Sequence, residues 1–239
     1  MHLHIIEGIE GCRVAREQGY TAVVVDALRA SCTATMLFEA GAKDITLVPD
    51  VPSALQFKKE NPDALLFGER HGLPPEGFDY GNSPRTVEAA RDRSIGFTTS
   101  NGTALMLEAW GAPEVLMASV TNLSAVVQRI SQTKQDVVLI PAGNVSDPSF
   151  SAQEDWVAAT VIAKQAGFDI GEGEATYRQW IDRVEEEGIE ALFSSAPHAE
   201  KIRAVGLEED IAFCAQVDIS NAIPQATRLS TLGLRLKQV

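Results

Sequence analysis

Four stretches of the chain place acids, arginines and small hydroxyl residues directly behind apolar runs. Ala22-Val23-Val24-Val25 ends in Asp26, with Arg29, Ser31 and Thr33 following. Residues 64–67 lead to Glu69, Arg70 and His71, and residues 94–98 to Ser100-Asn101-Gly102-Thr103. Residues 136–140 lead to Gly143, Asn144 and, a loop later, Glu154-Asp155. A hard cation such as Mg²⁺ is held by one or two carboxylates together with phosphate oxygens and water. Asp26, Glu69, Glu154 and Asp155 are the candidate metal ligands. Arg29 has a planar fork that grips two oxygens of a phosphate or sulfonate at once. Ser31, Thr33, Ser100, Asn101 and Thr103 stand at expected helix starts, where free N–H groups bind anions, and Gly102 permits close backbone approach. Asn82 and Ser83 are candidate donors to a second anionic group. Together these residues could hold a metal and a phosphate in one cleft, with Asp26, Arg29, Glu69 and Arg70 as the candidate catalytic set. Attack on phosphorus by water and attack by Asp26 itself are both open. Each residue also has a plainer role: Asp26 as a helix cap, Glu154-Asp155 as acids suited to a helix dipole, Glu69-Arg70 as a local ion pair. His71 is a candidate donor to the leaving alkoxide, whereas His2, His4 and His198 read as structural or solvated.

These residues need a frame that gathers them. Short apolar runs alternate with helical patterns up to about Gly171, which predicts an α/β protein with a mostly parallel, mixed sheet in three α/β/α layers. In parallel strands joined by right-handed crossovers, all four loops fall on one sheet edge, where open α/β sheets bind ligands. The long Gly/Pro-rich loop over residues 68–84 is expected to be functional, and residues 83–90 are expected to be helical. Beyond Gly171 the chain reads as more helical, with strands expected only over residues 211–217 and 229–236. One domain, residues 1–239, is the expected organisation, with residues 172–239 as a C-terminal subregion.

With 239 residues and 45% hydrophobic content, the chain is long and apolar enough for a real core. A net charge of −13 argues against nucleic-acid and anionic-membrane partners, leaving a small phosphorylated anion as the expected partner and a homo-oligomer open. Cys12, Cys32 and Cys214 have no metal-like spacing, which suits inert thiols in a reduced cytoplasm. Several phosphatase signatures are missing. No Walker loop, dinucleotide fingerprint or G-x-S-x-G elbow occurs, Leu28 replaces the second acid of a paired-Asp motif, and Phe38 stands where a Cys32-based phosphate loop would need an arginine.

The strings VVVDALRASCTAT, FGERHGLPPEGFDYGNSP, TTSNGTAL, QEDWVAA and EEDIAFCAQVDISNAIPQA occur in that order between Val23 and Ala226. In these the chain resembles the 2-phosphosulfolactate phosphatase (ComB-like) family of coenzyme M biosynthesis. The resemblance implies an α/β layered fold and Mg²⁺-dependent hydrolysis of 2-phosphosulfolactate to sulfolactate and phosphate. Departures are mild: Ser31-Cys32 and Ser100 stand where threonines are common, and Asn144-Val145-Ser146 where a basic or Gly-rich run is often seen. These bear on substrate detail more than on reaction type. The rival expectations are hydrolysis of another small phosphorylated metabolite and a non-catalytic anion-binding module.

Overall fold

The computed structural model describes residues 1–144, 147 and 150–239. The first half of the chain alternates as expected: β1 (His2–Ile5), α1 (Gly8–Gln18), β2 (Thr21–Val25), α2 (Ala30–Glu39), β3 (Asp44–Leu47), α3 (Val51–Glu60), β4 (Leu65–Gly68), β5 (Ser94–Thr98), α4 (Gly102–Ala109) and β6 (Val115–Ala118). Then come α5 (Leu123–Ile130), β7 (Val137–Pro141), α6 (Gln153–Ala166) and the short β8 (Asp169–Ile170). Four helices follow, α7 (Glu174–Glu187), α8 (Ile189–Ser194), α9 (Pro197–Ala204) and α10 (Glu208–Cys214), before the hairpin β9 (Pro224–Leu229) and β10 (Leu234–Gln238).

The strands form one sheet in the order β4-β5-β3-β10-β9-β6-β2-β7-β1-β8. Alternation along each strand divides its side chains between two cores. Val23 and Val25 of β2 pack with Val157 and Ile162 of α6, Val126 of α5 and Phe193 of α8. Ala22 and Val24 face the other way, toward Cys12 of α1, Leu37 of α2 and Met106 of α4. A third, smaller core joins Ala54 and Phe57 of α3 to Leu66 of β4. This is the expected three-layer α/β/α arrangement. No helix among the described residues is long and apolar enough to cross a membrane.

The expectation that parallel strands alone gather the loops needs correcting. β3, β4 and β5 are mutually parallel, as are β1, β2, β6, β7 and β8. The two sets are joined through the antiparallel contacts β3–β10, β10–β9 and β9–β6, the last through the pair Leu116↔Gln225. An odd number of antiparallel steps reverses polarity, so along the ladder the β3-β5-β4 set runs against the other. The loops converge because the sheet curls. β5 and β2 lie five steps apart in the strand order, which in a flat sheet would be roughly 24 Å. Yet a Cβ placed on Gly102, just after β5, would stand 2.7 Å from Asp26 Oδ2, just after β2. Strands from both sets therefore wrap one core around α2 and α4, which contains Phe67, Phe97, Val138 and Ile140 together.

Three local expectations also change. Residues 83–90 hold only a 3₁₀ turn at Glu88–Ala90, because Ser83 is drawn into a buried contact instead of capping a helix. Of the stretch expected as a strand over 211–217, residues 211–214 belong to α10 and the rest is irregular; the first turn of α10 carries Glu208, Glu209 and Asp210, acids that suit a helix N-terminus. The expected strand at 229–236 is split into the β9–β10 hairpin by a turn closed between Ser230 and Gly233.

Candidate active site

The β2–α2 turn is built around Asp26. Its Oδ1 accepts the Ala30 N–H at 3.1 Å, and its own N–H donates to Ser31 Oγ, also at 3.1 Å. Ser31 Oγ in turn donates to the Val24 carbonyl, so this hydroxyl is used inside the turn. Asp26 Oδ2 accepts no hydrogen bond among the described residues. Burial pushes the Asp26 carboxyl above the ordinary carboxylate range; the Ala30 N–H and His198 oppose this, while Glu154 and Glu69 add to it. Gly102 is required here by close packing, since a methyl group would meet both Asp26 Oδ2 and Ala30 Cβ. The peptide between Leu28 and Arg29 is cis.

Glu69 ties two loops together. Its Oε1 accepts the Ser100 N–H at 2.8 Å and its Oε2 the Gly72 N–H at 2.9 Å. Burial opposes its charge, but these two N–H groups, with help from Arg70, hold its carboxyl below the usual range. Arg70 points its guanidinium back to the Glu69 carbonyl and Thr98 Oγ1. It braces the loop and does not line the cavity described below.

The N-terminal turn of α6 supplies the neighbouring acids. Asp155 accepts the Ala27 N–H at 2.8 Å and the Gly143 N–H at 3.1 Å, so it locks the β2 and β7 loops together. Burial, then Glu154 and Asp26, raise its carboxyl well above the ordinary range. Glu154 is buried; Oε1 lies 3.1 Å from His198 Nδ1, and Oε2 has no hydrogen-bond partner among the described residues. Burial disfavours a charged His198, but the Glu154 hydrogen bond and charge, together with Asp26, outweigh it and raise its pKa.

Arg29 is held by a buried partner. Its Nη1 meets Asp210 Oδ2 at 2.6 Å, both side chains being almost solvent-free, and its Nη2 donates to the Gly72 carbonyl. Asp210 Oδ1 accepts Ser83 Oγ at 2.7 Å. A guanidinium has five N–H donors, so this arrangement leaves others for a ligand.

These elements enclose a cavity of about 510 Å³, within the usual size for a small-molecule site. Of the expected residues, Asp26, Arg29, Glu69, Asn82, Ser100 and Asn101 line it, and so do His71 and Asn144. Buried Asn82 Oδ1 has no hydrogen-bond partner among the described residues. Ser31, Thr33, Arg70, Ser83, Gly102, Thr103, Glu154 and Asp155 stand behind this wall and hold it. Thr33 reaches the Asn82 carbonyl, and Thr103 Oγ1 accepts the Thr99 N–H. Val145 and Ser146, part of the sequence departure noted above, lie outside the described residues.

Comparison with known proteins gives the setting for this cavity. A sequence profile of the 2-phosphosulpholactate phosphatase family matches residues 6–228. The chain is 38% identical over 210 residues to a protein of Thermus thermophilus named "Probable 2-phosphosulfolactate phosphatase", covering 84% of this chain and 86% of that one. Relatives of the same name occur in Thermotoga petrophila (34% over 206 residues; 85% and 88% of the two chains) and Clostridium acetobutylicum (31% over 234 residues; 95% and 98%). The chain belongs to the 2-phosphosulfolactate phosphatase family.

The five strings that carry the resemblance to the 2-phosphosulfolactate phosphatase family supply Asp26 and Arg29, Glu69 and Asn82, Ser100 and Asn101, Glu154 and Asp155, and Asp210 respectively. The first three strings contribute to the cavity wall, and the last two stand behind it. The sequence reads as a helix over residues 199–204, but its part in the site was missed. His198, read above as structural or solvated, lines the cavity with Lys201, Ile202 and Val205. Their spacing of 0, 3, 4 and 7 marks one helix face and is visible in the sequence. Its mixture of charged and apolar residues hid it. Asp210 was missed because an acid in a first helical turn is well explained by the dipole alone.

Proposed function

We propose that this chain hydrolyses the phosphate monoester of 2-phosphosulfolactate, releasing 3-sulfolactate and inorganic phosphate, with Mg²⁺ as cofactor. The observation that carries the reading is the charge of the cavity. Asp26, Glu69, Glu154 and Asp210 stand in or against its wall, opposed by Arg29, His198 and Lys201. A multiply anionic ester would be repelled by such a wall without an added cation.

The donor set fits a hard divalent ion. Among the described residues Asp26 Oδ2 and Glu154 Oε2 have no hydrogen-bond donor, and burial, then the neighbouring acids, disfavours the charged forms of Asp26 and Asp155. Among the described residues no three His, Cys, Asp or Glu side chains form a complete metal cage, which suits an ion that keeps water and phosphate oxygens in its shell. Asp26 and Glu154 are the residues we assign to hold Mg²⁺, with Glu69 and Asp155 fixing the loops around them. Bound there, Mg²⁺ supplies Lewis-acid polarisation of the phosphoryl group and neutralises its charge.

The remaining work falls to the chain itself. Arg29, held in place by Asp210, offers its unused N–H donors to non-bridging oxygens; a charge-assisted hydrogen bond contributes about 1.5–3 kcal/mol. His198, whose pKa is raised by Glu154 against the effect of burial, adds a second positive group when protonated. In the net reaction the bond between phosphorus and the ester oxygen breaks and a water oxygen replaces it. One water proton ends on the sulfolactate hydroxyl.

Phosphate release from 2-phosphosulfolactate by the purified chain, with Mg²⁺ and with EDTA, tests this. Turnover with Mg²⁺ that EDTA abolishes is expected. Turnover undiminished by chelation would overturn the metal assignment. Hydrolysis of other phosphorylated hydroxy acids but not of this ester would overturn the substrate.

A further inference from the structure

Two basic side chains of the cavity wall are matched to acids. Arg29 is paired with Asp210 and His198 with Glu154. Lys201 has no carboxylate partner among the described residues. Its ammonium instead lies 3.9 Å from the centre of the Phe150 ring, and both residues line the cavity. The ring also meets the His198 imidazole edge-on, with centroids 6.3 Å apart. Lys201 stands one helical turn beyond His198 on the α9 face formed with Ile202 and Val205.

We propose that Lys201, held against Phe150, is a specificity-determining residue that binds a second anionic group of the substrate, which in the reading given above is the sulfonate. Asp26 and Glu154 are assigned to the metal, and Arg29 and His198, each already beside a carboxylate, to the phosphate. An ammonium with no carboxylate partner among the described residues is a receptor for an additional negative charge. The aromatic face stabilises the cation in the empty cavity without neutralising it, so the full charge is available to a ligand. A single lysine is a compact point charge, suited to a sulfonate, whose three equivalent oxygens impose no planar fork. Ile202 and Val205 on the same face provide apolar contact for the carbon skeleton and limit water around the ion pair.

The proposal rests on the phosphatase reading, and its test separates the two. Wild type, Lys201→Met and Lys201→Arg, each with Mg²⁺, are assayed on 2-phosphosulfolactate and on 2-phospholactate, which has the same ester but no sulfonate. Lys201→Met is expected to lower the ratio of kcat/KM between the two esters at least tenfold, with the change in KM, and Lys201→Arg to restore most of it. A loss equal on both esters would overturn the role. If wild type hydrolyses neither ester, the phosphatase reading fails, and calorimetric binding of 3-sulfolactate decides the present one. Binding at least tenfold weaker in Lys201→Met supports it, whereas equal binding, or no binding by wild type, overturns it. The exposure of Lys201 makes a folding defect a poor explanation for any of these results, and unchanged melting temperatures check this.

Discussion

Asp26 and Gly102 form a pair in which each limits the other. Asp26→Asn keeps the shape of the side chain and removes its charge. In the proposed mechanism this should lower phosphate release more than 100-fold, measured with saturating Mg²⁺, while the circular dichroism spectrum is unchanged. Gly102→Ala should act from the other side. The added methyl would sit 2.7 Å from Asp26 Oδ2 and 2.8 Å from Ala30 Cβ, and forced overpacking of this kind costs about 1–3 kcal/mol. A lower denaturation midpoint together with reduced turnover is expected. A neutral Gly102→Ala would mean that the two loops yield more readily than their packing indicates. At this scale the sequence was informative about residue type but not about residue state. Asp26, Arg29 and Glu69 stood out by their positions after strands. That Asp155 has both oxygens occupied by backbone N–H groups, whereas Glu154 Oε2 has none among the described residues, depends on which loops lie beside α6.

Helix α10 shows the same division one level up. Its acids suit a helix start, yet Asp210 reaches across the molecule to Arg29 and Ser83. Removing one member of a buried ion pair leaves an uncompensated charge and typically costs 3–5 kcal/mol. Asp210→Ala should therefore destabilise the protein by about that amount in urea unfolding. It should also impair activity, because Arg29 loses the contact that aims it. The double variant Asp210→Ala/Arg29→Met, which removes the stranded charge, should recover stability but not turnover. If stability does not recover, the cost comes from the Ser83 contact instead. The α9 face was readable as a period, but a helix with His, Lys, Ile and Val on one side does not reveal what lies opposite. The strand expected at 211–217 failed for a related reason: a short apolar run fits helix or strand, and the acids ahead of it favoured the helix.

Across the whole molecule, the acids clustered at the curled edge of the sheet tie stability to pH and to cations. Asp26 and Asp155 have carboxyls raised above their unfolded values by burial and by their neighbours. Such groups bind more protons in the folded protein, so their contribution is full below the unfolded pKa of about 3.8 and is lost as pH rises through the raised folded values. In EDTA, Asp26→Asn should melt with the wild type near pH 4 and increasingly above it toward neutrality. Mg²⁺ should raise the wild-type melting temperature at neutral pH and have a smaller effect on Asp26→Asn. Parallel melting curves at every pH would contradict the acid cluster as the source.

The amino-acid sequence by itself determined the alternation of strands and helices, the residues behind each strand, and a pattern of motifs sufficient to place the chain in its family. These are local properties, carried by apolar periodicity and by the few residue types able to bind cations and phosphates. Only the tertiary structure decided how the strand ends meet, since the antiparallel β9–β10 hairpin reverses polarity within the sheet and curling around α2 and α4 brings the edges back together. It also decided that α9 closes the cavity and that Asp210 partners Arg29. Contacts between residues 181 positions apart depend on how the layers pack, which no local pattern encodes.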